Sequence, residues 1–256
     1  MPTKRELYDY LDGIMPKTLS CEWDNDGLMC CSHPEDEVKK ILFTLDITPE
    51  AIEYAVNNGY DTVISHHPII FKGIKAVNTD IGVPKRLIRL IESRITAMSF
   101  HTRFDSVAGG VNDALAEALE LTDTEPFGDI ENGVGRVGTL PREMSVDELA
   151  YHIKEKLGAP YVNYNGAGEK IARLAVLGGA GDDCIGLAVS TGAQAYLTGE
   201  LKYHQLTDSA DMGITLYEAG HYHTEYPSLS KLEQTVKAKY PDTETEIYKN
   251  YLIKTV

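Results

Sequence analysis

Apolar positions along this chain alternate between two rhythms, one of helical spacing and one of short unbroken runs. Leu7, Leu11 and Ile14 share a helical face that Pro16 ends. Residues 40–46 (KILFTLD) then read as a strand, residues 49–58 as a helix with proline in its first turn, and residues 62–65 as a second strand. A helix over 84–93, a strand over 95–99 and a helix over 111–121 continue the alternation. Residues 21–28 form a turn-rich loop around Trp23, and the acidic stretch 122–132, broken by Pro126 and Gly128, reads as a linker. Beyond it come a helix over 145–157, strands at 161–164 and 170–177 and a helix over 183–191. A strand at 194–198, a helix at 202–211, a strand at 214–218, a long helix over 225–239 and a strand near Glu246 complete the chain. Strands and helices of these lengths in alternation predict an α/β fold with largely parallel sheets.

The order of elements repeats. Shifting by 133 residues lays Ile52, Ala55, Val56 and Gly59 on Ile185, Ala188, Val189 and Gly192, and His67 on Glu200. A shift of 120 lays His101 and Asp105 on His221 and Glu225. The chain therefore reads as two similar α/β domains related by internal duplication, with the chemistry in the cleft between them. The first is expected over 1–125 plus about 215–256, so that His221 and Glu225 reach back to it, and the second over 126–214.

Composition narrows what such a molecule does. Its 256 residues include 39 acidic and 24 basic side chains, a net charge of −15, which disfavours a protein that works by gripping nucleic acid or an anionic membrane. The N-terminal residues enter a helix without a signal-like apolar segment, and no run of about 18 apolar residues occurs. Cys21, Cys30, Cys31 and Cys184 contain no CxxC pair and are too few for a secreted disulfide framework, so a cytoplasmic location is expected.

Candidate chemistry gathers at strand ends, where open α/β sheets place ligands. The run Thr62-Val-Ile-Ser stops at His66-His67-Pro68; His101 and Asp105 follow a second strand, and His221 and Glu225 a third. Imidazole with carboxylate is the ligand set of zinc, iron, manganese or nickel, whereas the scarcity of clustered thiolates speaks against a structural cysteine site. Adjacent histidines in a regular strand point to opposite faces, so each would serve its own ion unless the backbone turns there. The expected site is thus two divalent ions held by His66, His67, Asp105, His221 and Glu225, with open positions for water. His101, His204 and Glu200 are candidates for proton transfer or ligand orientation. His33, His152 and His223 read as structural or exposed. The glycines of Leu177-Gly-Gly-Ala-Gly181 follow a strand and open a helix, but Asp182 and Asp183 would repel an anion, so a tight turn is expected there rather than a phosphate cradle.

Taken together, Asp24-Asn-Asp-Gly-Leu28, Ser65-His-His-Pro68, Phe100-His-Thr-Arg-Phe-Asp105, Thr198-Gly-Glu-Leu-Lys-Tyr-His204 and Ala219-Gly-His-Tyr-His-Thr-Glu225 resemble the Ngg-interacting-factor-three-like family, whose members are often labelled type 2 GTP cyclohydrolase homologues. The resemblance runs essentially from end to end. It implies two similar α/β domains, a dinuclear metal centre on the five residues already singled out, and a toroidal homohexamer built as a trimer of dimers. It also implies a metal-dependent hydrolase acting on a small molecule, with GTP cyclohydrolase or phosphoesterase chemistry. The rival expectation is a non-enzymatic metal-binding ring serving as metallochaperone, regulator or assembly partner, because a shared fold does not fix a substrate.

Overall fold

The computed structural model describes residues 1–128, 133–166 and 170–256. Helix α1 (Lys4–Ile14) starts in a capping box in which the Thr3 hydroxyl accepts from Glu6 N and the Glu6 carboxylate accepts from Thr3 N. Then follow β1 (Gly27–Cys30), β2 (Lys40–Thr44), α2 (Pro49–Asn57), β3 (Thr62–Ser65), α3 (Gly82–Glu92), β4 (Thr96–Ser99), α4 (Thr102–Ser106) and α5 (Val111–Ala118). The second half holds β5 (Thr122–Phe127), β6 (Gly135–Met144), α6 (Val146–Leu157), β7 (Asn163–Asn165), β8 (Ile171–Leu177), α7 (Ile185–Ser190), β9 (Ala195–Thr198), α8 (Tyr203–Met212), β10 (Thr215–Glu218) and α9 (His221–Glu225). Helix α10 (Ser228–Lys239) and β11 (Glu244–Ile247) close the chain. It divides into two compact units, Met1–Phe104 with Leu229–Leu252 and Asp105–Ser228 with Ile253–Val256.

The first unit carries a five-stranded sheet in the order β1-β4-β3-β2-β11. Its strands are parallel except β1, which pairs antiparallel with β4 at the edge. Every residue of β3 and β4 is buried, the pattern of strands covered on both faces. Leu42, Val63 and Ala97 pack with Ile52 and Ala55 of α2 and Leu87 and Leu90 of α3.

In the second unit a six-stranded sheet runs β5-β6-β8-β9-β10-β7. Only β8, β9 and β10 are parallel neighbours; β5, β6 and β7 pair antiparallel. Leu174, Val176 and Leu197 pack with Leu115 of α5 and Leu149 and Ile153 of α6. Ala175 and Tyr196 pack with Ile185 and Ala188 of α7.

Both units are built on a βαβαβ core with the same ladder. Ile41 pairs with Thr62 in the first and Leu174 with Ala195 in the second, so both partners move by 133 residues. The helix that follows ends in each case at a left-handed glycine, Gly59 at φ 72° and Gly192 at φ 76°. At the third strand the shift becomes 119, since Thr62 pairs with Thr96 and Ala195 with Thr215.

Four expectations change. The sheets are mixed rather than largely parallel, with the antiparallel strands next to the parallel cores. The stretch 122–127 is a strand, not a linker; it is polar because it is an exposed edge, held by its ladder to β6, where Pro126 is tolerated. The rest of the proposed linker, 129–132, lies outside the described residues. Part of the loop around Trp23 is strand β1, and the helix expected over 225–239 is two helices parted at Pro227. Among the described residues, no helix is long and apolar enough to cross a membrane, and all four cysteines are free thiols.

Candidate metal centre

Three imidazoles meet in the first unit because two neighbouring parallel strands end side by side. Ser65 pairs with Ser99 in the ladder, and their hydroxyls lie 2.8 Å apart. The Ser65 hydroxyl also donates to His67 O at 2.7 Å, turning the backbone just where the strand stops. Opposite-facing histidines, the expectation for a regular strand, therefore do not arise: the His66 and His67 rings are 4.9 Å apart. His101, which follows β4, has its ring 5.2 Å from His66 and 5.5 Å from His67. One ligand atom from each of the three lies within 4.8 Å of the others.

The way each ring is held decides which nitrogen faces outward. His66 Nδ1 lies 3.0 Å from Phe100 O, and a carbonyl can only accept, so Nδ1 carries the proton. His67 Nδ1 is 2.9 Å from Asp46 Oδ1 and His101 Nδ1 is 3.0 Å from Asp24 Oδ1, and each carboxylate likewise demands an N–H. With Nδ1 turned to these acceptors, Nε2 is the ring atom each histidine can offer a metal, the arrangement by which carboxylates and carbonyls orient metal-binding histidines.

Beneath this cluster lies a buried ionic frame that sequence reasoning missed. Asp24 Oδ2 accepts from Thr102 N at 3.1 Å and from its hydroxyl at 2.6 Å. Asp26 Oδ2 accepts from His101 N at 3.0 Å and from Arg103 Nε at 2.9 Å, and Lys17 pairs with Asp26 Oδ1. The Arg103 side chain is fully buried, and its Nη1 donates to Asp12 Oδ1 at 2.6 Å and to Met15 O at 2.8 Å. Burial alone would raise both aspartates, but hydrogen bonds from His101 and Thr102 hold Asp24 well below the carboxylate range, and those from Arg103 and Lys17 hold Asp26 below it. The signal in the sequence was an Asp-x-Asp beside the sole tryptophan and an arginine two residues after His101.

The second unit presents His221 and Glu225 on the single turn of α9. His221 Nδ1 lies 2.8 Å from Glu200 Oε1, which fixes its proton there, while Nε2 lies 3.1 Å from Glu225 Oε1. A ring nitrogen and a carboxyl oxygen at that distance share a proton or a metal ion. The Gly178–Gly181 turn packs against this pair. Gly179, at φ 71°, would place a Cβ 2.3 Å from Glu225 Oε1 and 3.2 Å from His221 Nε2. Its N–H donates to Thr224 Oγ1, that of Gly178 to Asn112 Oδ1 and that of Gly181 to Thr198 Oγ1, so these amides serve the turn itself. Buried Asn112 also donates to Asp105 O at 3.3 Å, anchoring the backbone of that half-buried aspartate on α4. His204 sits exposed in the first turn of α8, and Glu200 is exposed beside His221. His152 Nε2 contacts Leu119 O at 3.2 Å and His33 Nδ1 contacts Ser32 Oγ at 2.8 Å, both structural bonds.

Fold and donor set together define a duplicated α/β protein with histidine–carboxylate clusters suited to a divalent cation. The family model for Duf34/NIF3 (NGG1p interacting factor 3) matches residues 2–254, and the chain belongs to that family. A "GTP cyclohydrolase 1 type 2 homolog" of Clostridium perfringens is 36% identical over 240 residues, 91% of each chain. A "Protein NIF3 homolog" of Schizosaccharomyces pombe is 29% identical over 235 residues, 86% of this chain and 84% of that one. Among solved structures, the Staphylococcus aureus protein SA1388 matches at a TM-score of 0.91 with 26% identity over 100% of both chains. Reduced HcgD from Methanocaldococcus jannaschii matches at 0.80 with 29% identity, covering 96% of this chain and 97% of that one.

Proposed function

We propose that this protein is a dinuclear-metal hydrolase of small molecules, with His66, His67, Asp105, His221 and Glu225 as the ligands of two divalent ions drawn from zinc, iron, manganese or nickel. The observation that carries the reading is the common orientation of His66, His67, His101 and His221, each held through Nδ1 so that Nε2 is the donor atom. Paired ions, when bound, supply Lewis acidity that polarises a carbon or phosphorus electrophile and activates water. His101, fixed by Asp24, moves a proton through Nε2; Glu200 orients His221, and His204 completes the proton-transfer set. The names carried by relatives favour a nucleotide such as GTP among the candidate substrates. The working assembly in this reading is a cytoplasmic homohexamer, a trimer of dimers.

Elemental analysis of the purified protein tests the metal: about two ions per chain are expected, falling in His67→Ala. Well under one ion per chain, unchanged by that substitution, would end the reading. Turnover of GTP and a phosphoester panel by metal-loaded protein tests the activity, which should track metal content and vanish in Glu225→Gln. Full metal loading without any turnover favours the metal-binding ring instead. Light scattering during gel filtration checks for six chains.

A further inference from the structure

Trp23 and Phe71 are large aromatic side chains left 63% and 47% exposed, yet neither belongs to a loose surface. Their rings lie 5.9 Å apart, and each is about 6 Å from the His101 ring, at 6.0 Å and 6.1 Å. The loop bearing Trp23 is fastened by Cys21 N donating to Thr102 Oγ1 at 2.9 Å and by the buried Asp24 and Asp26. Asn25 Nδ2 donates to Ile70 O at 2.6 Å, which ties this loop to the one bearing Phe71. Two exposed rings packed edge-on against a histidine of the cluster leave apolar area open beside it, the mark of a binding surface.

The chemistry beside them indicates the occupant. Phe71 also lines a cavity of about 380 Å³ with His67, Asp46, Lys72 and Arg86. The molecule carries a net charge of −15, but here two cations face one carboxylate, and that carboxylate already holds His67. An acidic protein that turns a basic recess toward its histidine cluster is built for an anion of small size. The rings supply stacking surface, which accepts any planar π system.

We propose that Trp23 and Phe71 form a ring-binding subsite beside His101 that takes the planar heteroaromatic ring of an anionic small-molecule substrate, whose negative group enters the cavity toward Lys72 and Arg86. This rests on the histidine cluster being the reacting centre. Trp23 and Phe71 act as specificity-determining residues, selecting the ring and presenting the rest of the molecule to the imidazoles.

The chain has one tryptophan, so its fluorescence reads this subsite alone. Titration of the purified full-length protein with guanosine 5′-monophosphate should quench the emission saturably, while ribose 5-phosphate, which lacks the ring, should not. Phe71→Ala should weaken the apparent affinity roughly 5- to 100-fold, the range of one lost base stack, and Phe71→Tyr should restore it. Lys72→Ala should weaken the monophosphate and leave guanosine unchanged. The proposal is overturned if the monophosphate gives no quenching, if Phe71→Ala binds like the parent, or if guanosine and its monophosphate bind the parent equally. It also fails if Trp23 is shielded from acrylamide in the purified protein, the sign that a second copy covers it. Metal content measured in parallel separates the two readings: two ions per chain without quenching sinks the subsite alone, and quenching by protein that never holds metal sinks the metal reading alone.

Discussion

Arg103 is fully buried with Asp26, and its partners include the aspartate that also holds His101 N. Removing one member of such a pair leaves a charge in the interior, so Arg103→Met should cost about 3–5 kcal/mol in urea unfolding. Arg103→Lys should recover little, because a lysine cannot reproduce the fork that reaches Asp12, Asp26 and Met15 O. The pH dependence follows from the lowered Asp26 carboxyl. A group depressed in the folded state contributes its stability in full above its ordinary value of 3.8 and loses it as pH falls through the folded value. Stability measured by urea midpoint should therefore fall steeply below about pH 4, and Asp26→Asn should flatten that acid limb while lowering the neutral plateau. At Gly179 a methyl group meets Glu225 Oε1, so Gly179→Ala should displace the His221–Glu225 pair. The expected outcome is a folded protein, destabilised by about 1–2 kcal/mol for the left-handed backbone, with reduced metal content by elemental analysis. The histidines at strand ends stood out from residue type and spacing, and so did the contact of His221 with Glu225. The roles of Asp24, Asp26, Asp46 and Asn112 did not, since most of their partners lie 21 to 78 residues away and only folding brings them together.

At the scale of elements, the duplication was the most readable feature, because the shift of 133 that matches the helices also matches the ladder pairs. The later change to a shift of 120 at the histidines has a structural reason. The third strands match at 119, Ser99 against Glu218, and the second copy inserts one residue before His221, where Gly220 takes φ 82°. Strand β5 escaped reading for another cause. Five of the six β5 residues are exposed, so no alternation of apolar and polar positions marked the strand; partner and register came from tertiary pairing. Strand β11 shows how an edge is secured. Glu246 accepts from Tyr54 OH at 2.6 Å and from Tyr60 OH, and Glu246→Ala should lower stability by about 1–3 kcal/mol, read as a lower thermal midpoint. Hydrogen exchange in that variant should quicken first in β11 and along the β2 amides that pair with it.

For the molecule as a whole, metal and stability are linked. A cation that binds the folded chain and not the unfolded one stabilises it by about 2.7 kcal/mol when present at 100 times its dissociation constant. Zinc, manganese or iron added to chelator-treated protein should therefore raise the thermal midpoint, and Glu225→Gln should abolish most of that rise. The chain path adds a consequence of another kind. The second unit is nearly one continuous segment, Asp105–Ser228, whereas the first needs Leu229–Leu252 to finish its sheet. Lys40 waits for Glu244, a separation of some 200 residues whose closure costs on the order of 5 kcal/mol of chain entropy. On the ribosome, then, β2 stands without its outer neighbour until residues 244–247 follow it, by which point the segment of the second unit made in between is already free to fold. A nascent chain arrested before residue 244 should carry an open parallel edge that a chaperone or a second nascent chain can seize, and emergence of residues 244–247 is the event that closes it.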